Sequence, residues 1–264
     1  MSAPPEDKLA AIFARKRQEL AARGPRVAGH PRPPPRDFTA ALTRPRPGQP
    51  INVIAEVKRR SPSGGDFPHA DLVAVARAYE AAGASALSVL TDDMDFGGSI
   101  EDLLQVRAAT SLPVLRKDFL VAAREVEESA ALGADAVLLI ADALEDGELA
   151  EMVAAARASR VAALVEAHTQ AHAERALKAG AELVGLNNRN LATLRTDTTT
   201  ALRVIPLLRG QARAFVAESG LKTREDFAAA RAAGADAVLV GESLLRDADP
   251  GQALARLLAP EGAP

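Results

Sequence analysis

The chain has 264 residues, a formal net charge of −3 and 48% hydrophobic residues. That length and apolar content suit one large α/β domain with a sizeable core, while the slightly acidic balance leaves no general footprint for nucleic acid or a membrane surface. The absence of cysteine excludes disulfides, thiolate zinc sites and a cysteine nucleophile, and with no apolar signal core after Met1 and no bilayer-length run a cytoplasmic protein is expected.

Residues 1–50 precede the first strand-like run. Leu9, Ile12, Phe13 and Leu20 line one face of a basic helix expected over Lys8 to Arg23, which should pack on the body of the domain. Pro31 to Arg36 and Arg44 to Pro50 are proline-rich connectors. Pro33-Pro34-Pro35 has the composition of a ligand for a proline-binding domain, but short stiff linkers of this kind are far commoner, and the linker reading is kept.

From residue 51 onward apolar runs alternate with helical periodicity. Strands are expected at Ile51 to Val57, Ala86 to Leu90, Pro113 to Leu115, Ala136 to Ile140, Val161 to Val165, Leu183 to Asn187, Ala214 to Ala217 and Ala237 to Val240. Their unbroken apolar character is that of strands covered on both faces. Helices are expected near 70–82, 99–109, 122–132, 145–158, 169–179, 198–208, 222–233 and 250–258, with Ser99/Asp102 and Thr223/Asp226 as capping boxes. Four Gly-Ala steps, at Gly83, Gly133, Gly180 and Gly234, mark helix ends before every second strand. Eight strands each followed by a helix favour a (β/α)8 TIM barrel with an N-terminal helical extension, an open doubly wound sheet being the alternative. Residues 1–50 are expected to pack on the catalytic barrel of residues 51–264 within one structural domain.

The strands end in residues that do chemistry. Glu56 and Lys58, Lys117, Glu166, Asn187 and Glu218 each close an apolar run, and a parallel barrel gathers such ends around one cavity. The chain spends arginine freely yet has only the lysines Lys8, Lys16, Lys58, Lys117, Lys178 and Lys222. Arginine cannot release a proton at useful pH, so lysines at two strand ends point to proton chemistry; the bland alternative makes both of them ion-pair partners of Glu56 or Glu166. After the last two strands, Ser219-Gly220-Leu221 and Gly241-Glu242-Ser243 offer backbone N–H groups, close-approach glycines and hydroxyls where barrels hold phosphate, and Ser61 adds a third hydroxyl; the bland alternative makes the glycines mere turn formers. His168 and His172 stand one helical turn apart but lack a zinc-protease carboxylate between them, so they are expected as exposed residues near a helix start, with no metal site.

Several of these segments together resemble indole-3-glycerol-phosphate synthase. They are Ile54 to Ser63 (IAEVKRRSPS), Val114 to Phe119 (VLRKDF), Gly185 to Leu191 (GLNNRNL), Ala217 to Gly220 (AESG), Val240 to Leu245 (VGESLL) and the helix from Ile12 to Leu20. Ala167, where the family usually has Val, and the loop Thr91 to Phe96 depart from its pattern. The resemblance implies a carboxy-lyase of tryptophan biosynthesis that needs no cofactor. It would close 1-(2-carboxyphenylamino)-1-deoxyribulose 5-phosphate to indole-3-glycerol phosphate with loss of carbon dioxide and water. It further implies Lys117 as general acid, Glu166 as proton acceptor or shuttle, and Lys58 and Glu56 beside them. Phe119, Asn187, Arg189, Glu218 and Ser219 would hold the substrate body, and Ser61, Gly220, Gly241 and Ser243 its phosphate. The expected partner is thus a phosphorylated small molecule taken up by a monomer, with association with other tryptophan-pathway enzymes left open. Two other readings compete, a Schiff-base aldolase using a barrel lysine and a catalytically dead phosphate-binding barrel. Phosphoribosylanthranilate isomerase shares the barrel, but its family pattern calls for a cysteine base that this chain lacks.

Overall fold

Eight short apolar strands pair in parallel and close on themselves. They are β1 (Asn52–Val57), β2 (Ala86–Leu90), β3 (Val114–Lys117), β4 (Ala136–Ile140), β5 (Ala162–Ala167), β6 (Leu183–Asn187), β7 (Ala214–Glu218) and β8 (Ala237–Val240). Closure is set where β1 pairs on one side with β8, Asn52 opposite Ala237, and on the other with β2, Ile54 opposite Ala86. The open-sheet alternative is therefore excluded. This is a computed structural model and describes residues 8–26, 32–44, 48–62, 64–69, 71–189 and 196–259. Pro31, residues 45–47 of the second proline-rich connector, Ser63, Asn190 and Leu191 lie outside the described residues.

The helices fall where the periodicity places them: Leu72–Ala81, Ile100–Ala109, Ala123–Ala131, Asp146–Ala158, Gln170–Lys178, Thr199–Leu208, Arg224–Ala233 and Pro250–Leu258. Gly83, Gly133, Gly180 and Gly234 have φ of 98°, 96°, 89° and 101°, the left-handed backbone that lets a helix stop and turn into the next strand without a Cβ penalty. Thr223 and Asp226 form the reciprocal capping box. At Ser99 only half of one forms. Ser99 Oγ accepts from Asp102 N and donates to Asp102 Oδ2 at 2.8 Å, a carboxylate that Arg59 also holds, its Nη2 donating to Oδ1 at 2.7 Å.

The N-terminal helix spans Lys8–Ala22 and lays Phe13 edge-on against Phe119, ring centroids 6.1 Å apart. Charge fixes it as firmly as packing does. Lys16 Nζ lies 2.8 Å from Asp92 and 2.7 Å from Asp118, and Arg15 reaches Asp92 and Asp95. The helix thus clamps the loops that follow β2 and β3, both at the carboxyl end of the barrel.

The connector is pinned at the opposite end. Arg36 donates through its backbone to Asp135 and through its guanidinium to the carbonyls of Leu112 and Arg107, while Arg107 donates to the carbonyl of Pro34. It leads into a short helix absent from the sequence-based expectations, Phe38–Thr43. Phe38 and Leu42 are fully buried under the barrel floor, and Asn52 of β1 donates to the carbonyl of Leu42 at 2.6 Å. Burial of two such side chains contributes about 1.5–3 kcal/mol each.

Candidate active site

A cavity of about 620 Å³ opens at the carboxyl end of the strands, lined among others by Glu56, Lys58, Lys117, Asn187, Arg189, Glu218, Ser219, Gly220, Gly241 and Ser243. Its apolar lining comes from Leu90, Phe96, Leu221, Leu239 and Val240. A smaller hollow of about 380 Å³ lies at the opposite end, between the connector and the helix Asp146–Ala158; none of the strand-end residues reaches it.

Strand register places the titratable groups. Glu56 stands opposite Ser88, Lys117 opposite Leu90, Glu166 opposite Gly185 and Asn187 opposite Glu218, so one turn of the barrel carries them all. Lys58 Nζ donates to Glu56 Oε1 at 2.5 Å and sits 5.6 Å from the Phe67 ring centroid. Lys117 Nζ lies 3.5 Å from Glu166 Oε2. Glu166 itself is buried behind Lys117, 1% exposed, and is not among the cavity-lining residues. Gly185 leaves room for its neighbour: a Cβ there would sit 2.0 Å from Glu218 Oε1.

The charges sort into definite states. Burial works against the Lys117 ammonium, but Glu166, Glu56 and Glu218 outweigh it and hold its pKa above the ordinary lysine value. Burial likewise opposes the Glu56 and Glu166 carboxylates, yet Lys58 and Lys117 on Glu56, and Lys117 and His168 on Glu166, keep both below the usual range. Glu218 goes the other way. Burial and the Glu166 charge push it well above the usual value despite Lys117, as when adjacent carboxyls cannot both ionise. The Lys117 ammonium and the Glu56 and Glu166 carboxylates are thus favoured beside a Glu218 carboxyl biased toward its neutral form.

The loops after β7 and β8 form the other end. Ser219 and Gly220 are both in the left-handed region, with φ of 67° and 80°. Such backbone is costly for Ser; Asn188 supports it, donating from Nδ2 to the Ser219 carbonyl at 3.0 Å. Ser243 Oγ donates to the carbonyl of Leu221. Arg189 pairs with Glu242 at 3.2 Å, and its N–H donates to Asn187 Oδ1. A Cβ at Gly241 would lie 2.7 Å from Glu56 Oε1, so this glycine clears space for the Glu56–Lys58 pair as well as for an occupant.

Three of the expected site residues lie off the cavity lining, Glu166 behind Lys117 and two others. Ser61 is buried, its Oγ accepting from Gly64 N at 3.0 Å, and Gly64 in turn accepts through its carbonyl from Arg246. Phe119 is buried between Phe13 and Phe96 and backs the wall that Phe96 presents. Sequence reasoning passed over Lys222 and Arg246, cations on the cavity lining, and Asn188, which stood in the motif from Gly185 to Leu191 without a role.

His168 and His172 depart from expectation. His168 is not exposed: its side chain is 8% accessible and faces Asp142 at 3.1 Å and Glu166 at 3.6 Å, while His172 lies 2.6 Å from the other oxygen of Asp142. The carboxylate that draws them in comes from the β4 loop, far in sequence, which no local spacing could reveal.

Comparison with known proteins agrees with this geometry. Residues 8–257 match the family model described as indole-3-glycerol phosphate synthase. The indole-3-glycerol phosphate synthase of Mycobacterium avium (strain 104) is 48% identical over 227 residues, covering 86% of this chain and 82% of that protein. That of Laribacter hongkongensis (strain HLHK9) is 45% identical over 225 residues, 85% of this chain and 86% of that one. Among solved structures, a KGPDC from Streptococcus mutans in complex with D-R5P superposes with a TM-score of 0.63 at 13% identity, over 79% of this chain and 96% of that chain. A thiamine phosphate pyrophosphorylase from Pyrococcus furiosus gives 0.58 at 16%, over 80% and 95%; at such identities the likeness is one of barrel fold. Matched over nearly its whole length by the family model and by relatives at close to half identity, the chain belongs to the indole-3-glycerol phosphate synthase family.

Proposed function

We propose that the carboxyl-end cavity closes 1-(2-carboxyphenylamino)-1-deoxyribulose 5-phosphate to indole-3-glycerol phosphate, with Lys117 as general acid. The observation that carries the assignment is the Lys117–Glu166 pair at 3.5 Å, in which the carboxylates hold the amine protonated. Attack of the electron-rich ring carbon on the ketone makes an alkoxide unless a proton arrives, and the Lys117 ammonium on the cavity wall supplies it. A Schiff-base lysine needs a neutral amine, so the same electrostatics disfavour the aldolase alternative.

After attack the ring nitrogen bears the positive charge, which accepts the electron pair of the departing carboxylate and restores the aromatic ring. Dehydration then needs a base for the methylene hydrogen and an acid for the hydroxyl. Glu166, anionic and beside Lys117, takes the first proton and hands it to the leaving oxygen. Glu56 orients Lys58, which lies toward the phosphate end. Glu218, biased toward its neutral form, donates a hydrogen bond to the substrate body alongside Asn187, Arg189 and Ser219, and Phe119 supports the apolar wall for the anthranilate ring. Gly220, Gly241 and Ser243 seat the phosphate, with Lys222 and Arg246 adding charge; Ser61 acts on this end through Gly64 and Arg246.

We propose that the chain acts as a monomer, and among the described residues no helix is long and apolar enough to cross a membrane. We place the reaction in the cytoplasm. Lys117→Arg tests the acid role, because it keeps the charge but not a transferable proton. kcat should fall on the order of 10²-fold or more with KM little changed; a near-normal kcat would remove Lys117 from the role.

A further inference from the structure

Each turnover of the proposed reaction draws one proton from solvent. Ring closure puts a proton on the ketone oxygen, and a second converts the resulting hydroxyl into leaving water. The methylene carbon gives up one. Carbon dioxide leaves without any, its bonding electron pair staying with the ring. If Glu166 carries the methylene proton to the leaving hydroxyl, the unbalanced proton is the one Lys117 donated. The Lys117 side chain is 17% accessible on the cavity wall, and a substrate that fills the cavity separates it from solvent at the mouth.

A row of titratable groups leads to Lys117 from the other side. His172, on the helix Gln170–Lys178, has a side chain 31% accessible, and its Nδ1 lies 2.6 Å from Asp142 Oδ1. Asp142 Oδ2 lies 3.1 Å from His168 Nδ1, His168 Nε2 lies 3.6 Å from Glu166 Oε1, and Glu166 Oε2 lies 3.5 Å from Lys117 Nζ. Both His168 ring nitrogens, His172 Nδ1, Asp142 Oδ2 and Glu166 Oε2 are buried with no hydrogen bond to any described group, so the row is a line of close titratable neighbours whose protons are not committed elsewhere. The scaffold holding them is rigid. Arg175, from the same helix as His172, donates to the carbonyls of Ala141 and Leu144 and to Asp146, and Ala141 N donates to the Glu166 carbonyl. Among the described residues no group of three or more His, Asp or Glu side chains is arranged to hold a metal ion. Burial disfavours the His168 imidazolium, but Asp142 and Glu166 outweigh it and raise its pKa above the ordinary value.

We propose that His172, Asp142, His168 and Glu166 form the line that recharges Lys117 after each turnover, with His168 as the positioning and proton-relay residue behind Glu166. With His168 as the Nε2–H tautomer, its Nδ1 takes a proton relayed from His172 through Asp142 as the Nε2–H bond breaks and a Glu166 O–H forms; that proton passes to the Lys117 amine, His172 is resupplied from solvent, and the ring exchanges its proton back to Nε2 before the next cycle. Glu166 ends as it began, a carboxylate. The inference rests on Lys117 being the general acid.

Single-turnover and steady-state rates separate it from a structural role, because recharging matters only after the first product. With enzyme in excess, His168→Gln should form product within about twofold of the unsubstituted rate, whereas with substrate in excess in dilute buffer kcat should fall about 10-fold at unchanged KM. Added imidazole should restore that kcat. Asp142→Asn should behave in the same way, and His172→Gln more mildly, since solvent already reaches its position. A His168→Gln single-turnover rate that falls together with kcat, or a kcat that does not fall, would overturn the proposal. Lys117→Met, run in parallel, tells the two failures apart: a normal single-turnover rate in that variant sinks the acid assignment itself, whereas a dead Lys117→Met beside an unaffected His168→Gln sinks only the relay.

Discussion

Lys117 Nζ and Glu166 Oε2 stand 3.5 Å apart, one at the end of β3 and the other near the end of β5, with a single strand between them. The pair has consequences for stability as well as chemistry. Lys117, with its pKa above 10.5 in the folded chain, contributes stability that is present below its unfolded value and lost only as pH rises through the folded one. Glu56 and Glu166, held below 4.5, contribute stability that is present above that value and lost as pH falls through their folded pKa values. Lys117→Met removes the cation that supports both carboxylates. The variant should be less stable on the order of 3 kcal/mol near pH 7, as when one partner of a buried pair is deleted, and the deficit should shrink as pH drops below 4.5. Denaturant unfolding at pH 7 and pH 4 measures this; an equal deficit at both would mean that only packing was lost.

The two neighbouring carboxyls should answer differently to the same substitution. The Glu166 carboxyl is held below its usual range and the Glu218 carboxyl is pushed well above it, so glutamine imitates Glu218 better than Glu166. Glu166→Gln should lower kcat on the order of 10²-fold or more and let the ring-closed, still hydroxylated intermediate accumulate, while Glu218→Gln should cost about tenfold or less. Rapid quench with chromatographic detection of the intermediate decides the matter, and equal losses without accumulation would contradict the assignment of Glu166.

The N-terminal helix acts on the site through the loops it clamps. We propose that residues 1–50 and the barrel form one structural unit, the helix Lys8–Ala22 shaping the cavity mouth and the helix Phe38–Thr43 closing the floor. Phe13→Ala unseats Phe119 and, through it, Phe96 on the cavity wall. It should raise KM several-fold and cost about 3 kcal/mol of stability, the low end for truncating a buried Phe. Phe38→Ala, at the floor, should destabilise comparably and leave KM alone. Steady-state kinetics beside thermal unfolding separates the two effects, and an unchanged KM in Phe13→Ala would detach the helix from substrate binding.

The barrel was legible because its code is local and repeated. Continuous apolar runs gave the strands, helical spacing gave the helices, and Gly83, Gly133, Gly180 and Gly234 marked the junctions that their backbone angles bear out. The helix Phe38–Thr43 was not legible: six residues span less than two turns, and its role in plugging the floor depends on where the strands close. Of the site, the strand-end residues could be read because parallel topology alone brings them to one face. The protonation states could not, since the Glu218 carboxyl is pushed up by its burial and by the Glu166 charge across the β6 gap that Gly185 leaves open. Nor could the Asp142–His168–His172 row, whose members come from two loops and a helix.

The most direct measurement uses what the chain lacks. With no tryptophan and one tyrosine, the protein should be almost dark when excited near 290 nm, roughly where indole still absorbs and tyrosine hardly does. Purified protein mixed with 1-(2-carboxyphenylamino)-1-deoxyribulose 5-phosphate, in chelator and without added cofactor, should generate indole fluorescence at a rate proportional to enzyme, and Lys117→Ala should abolish it. Fluorescence that fails to grow with the unsubstituted protein, or that grows equally with Lys117→Ala, would contradict the account.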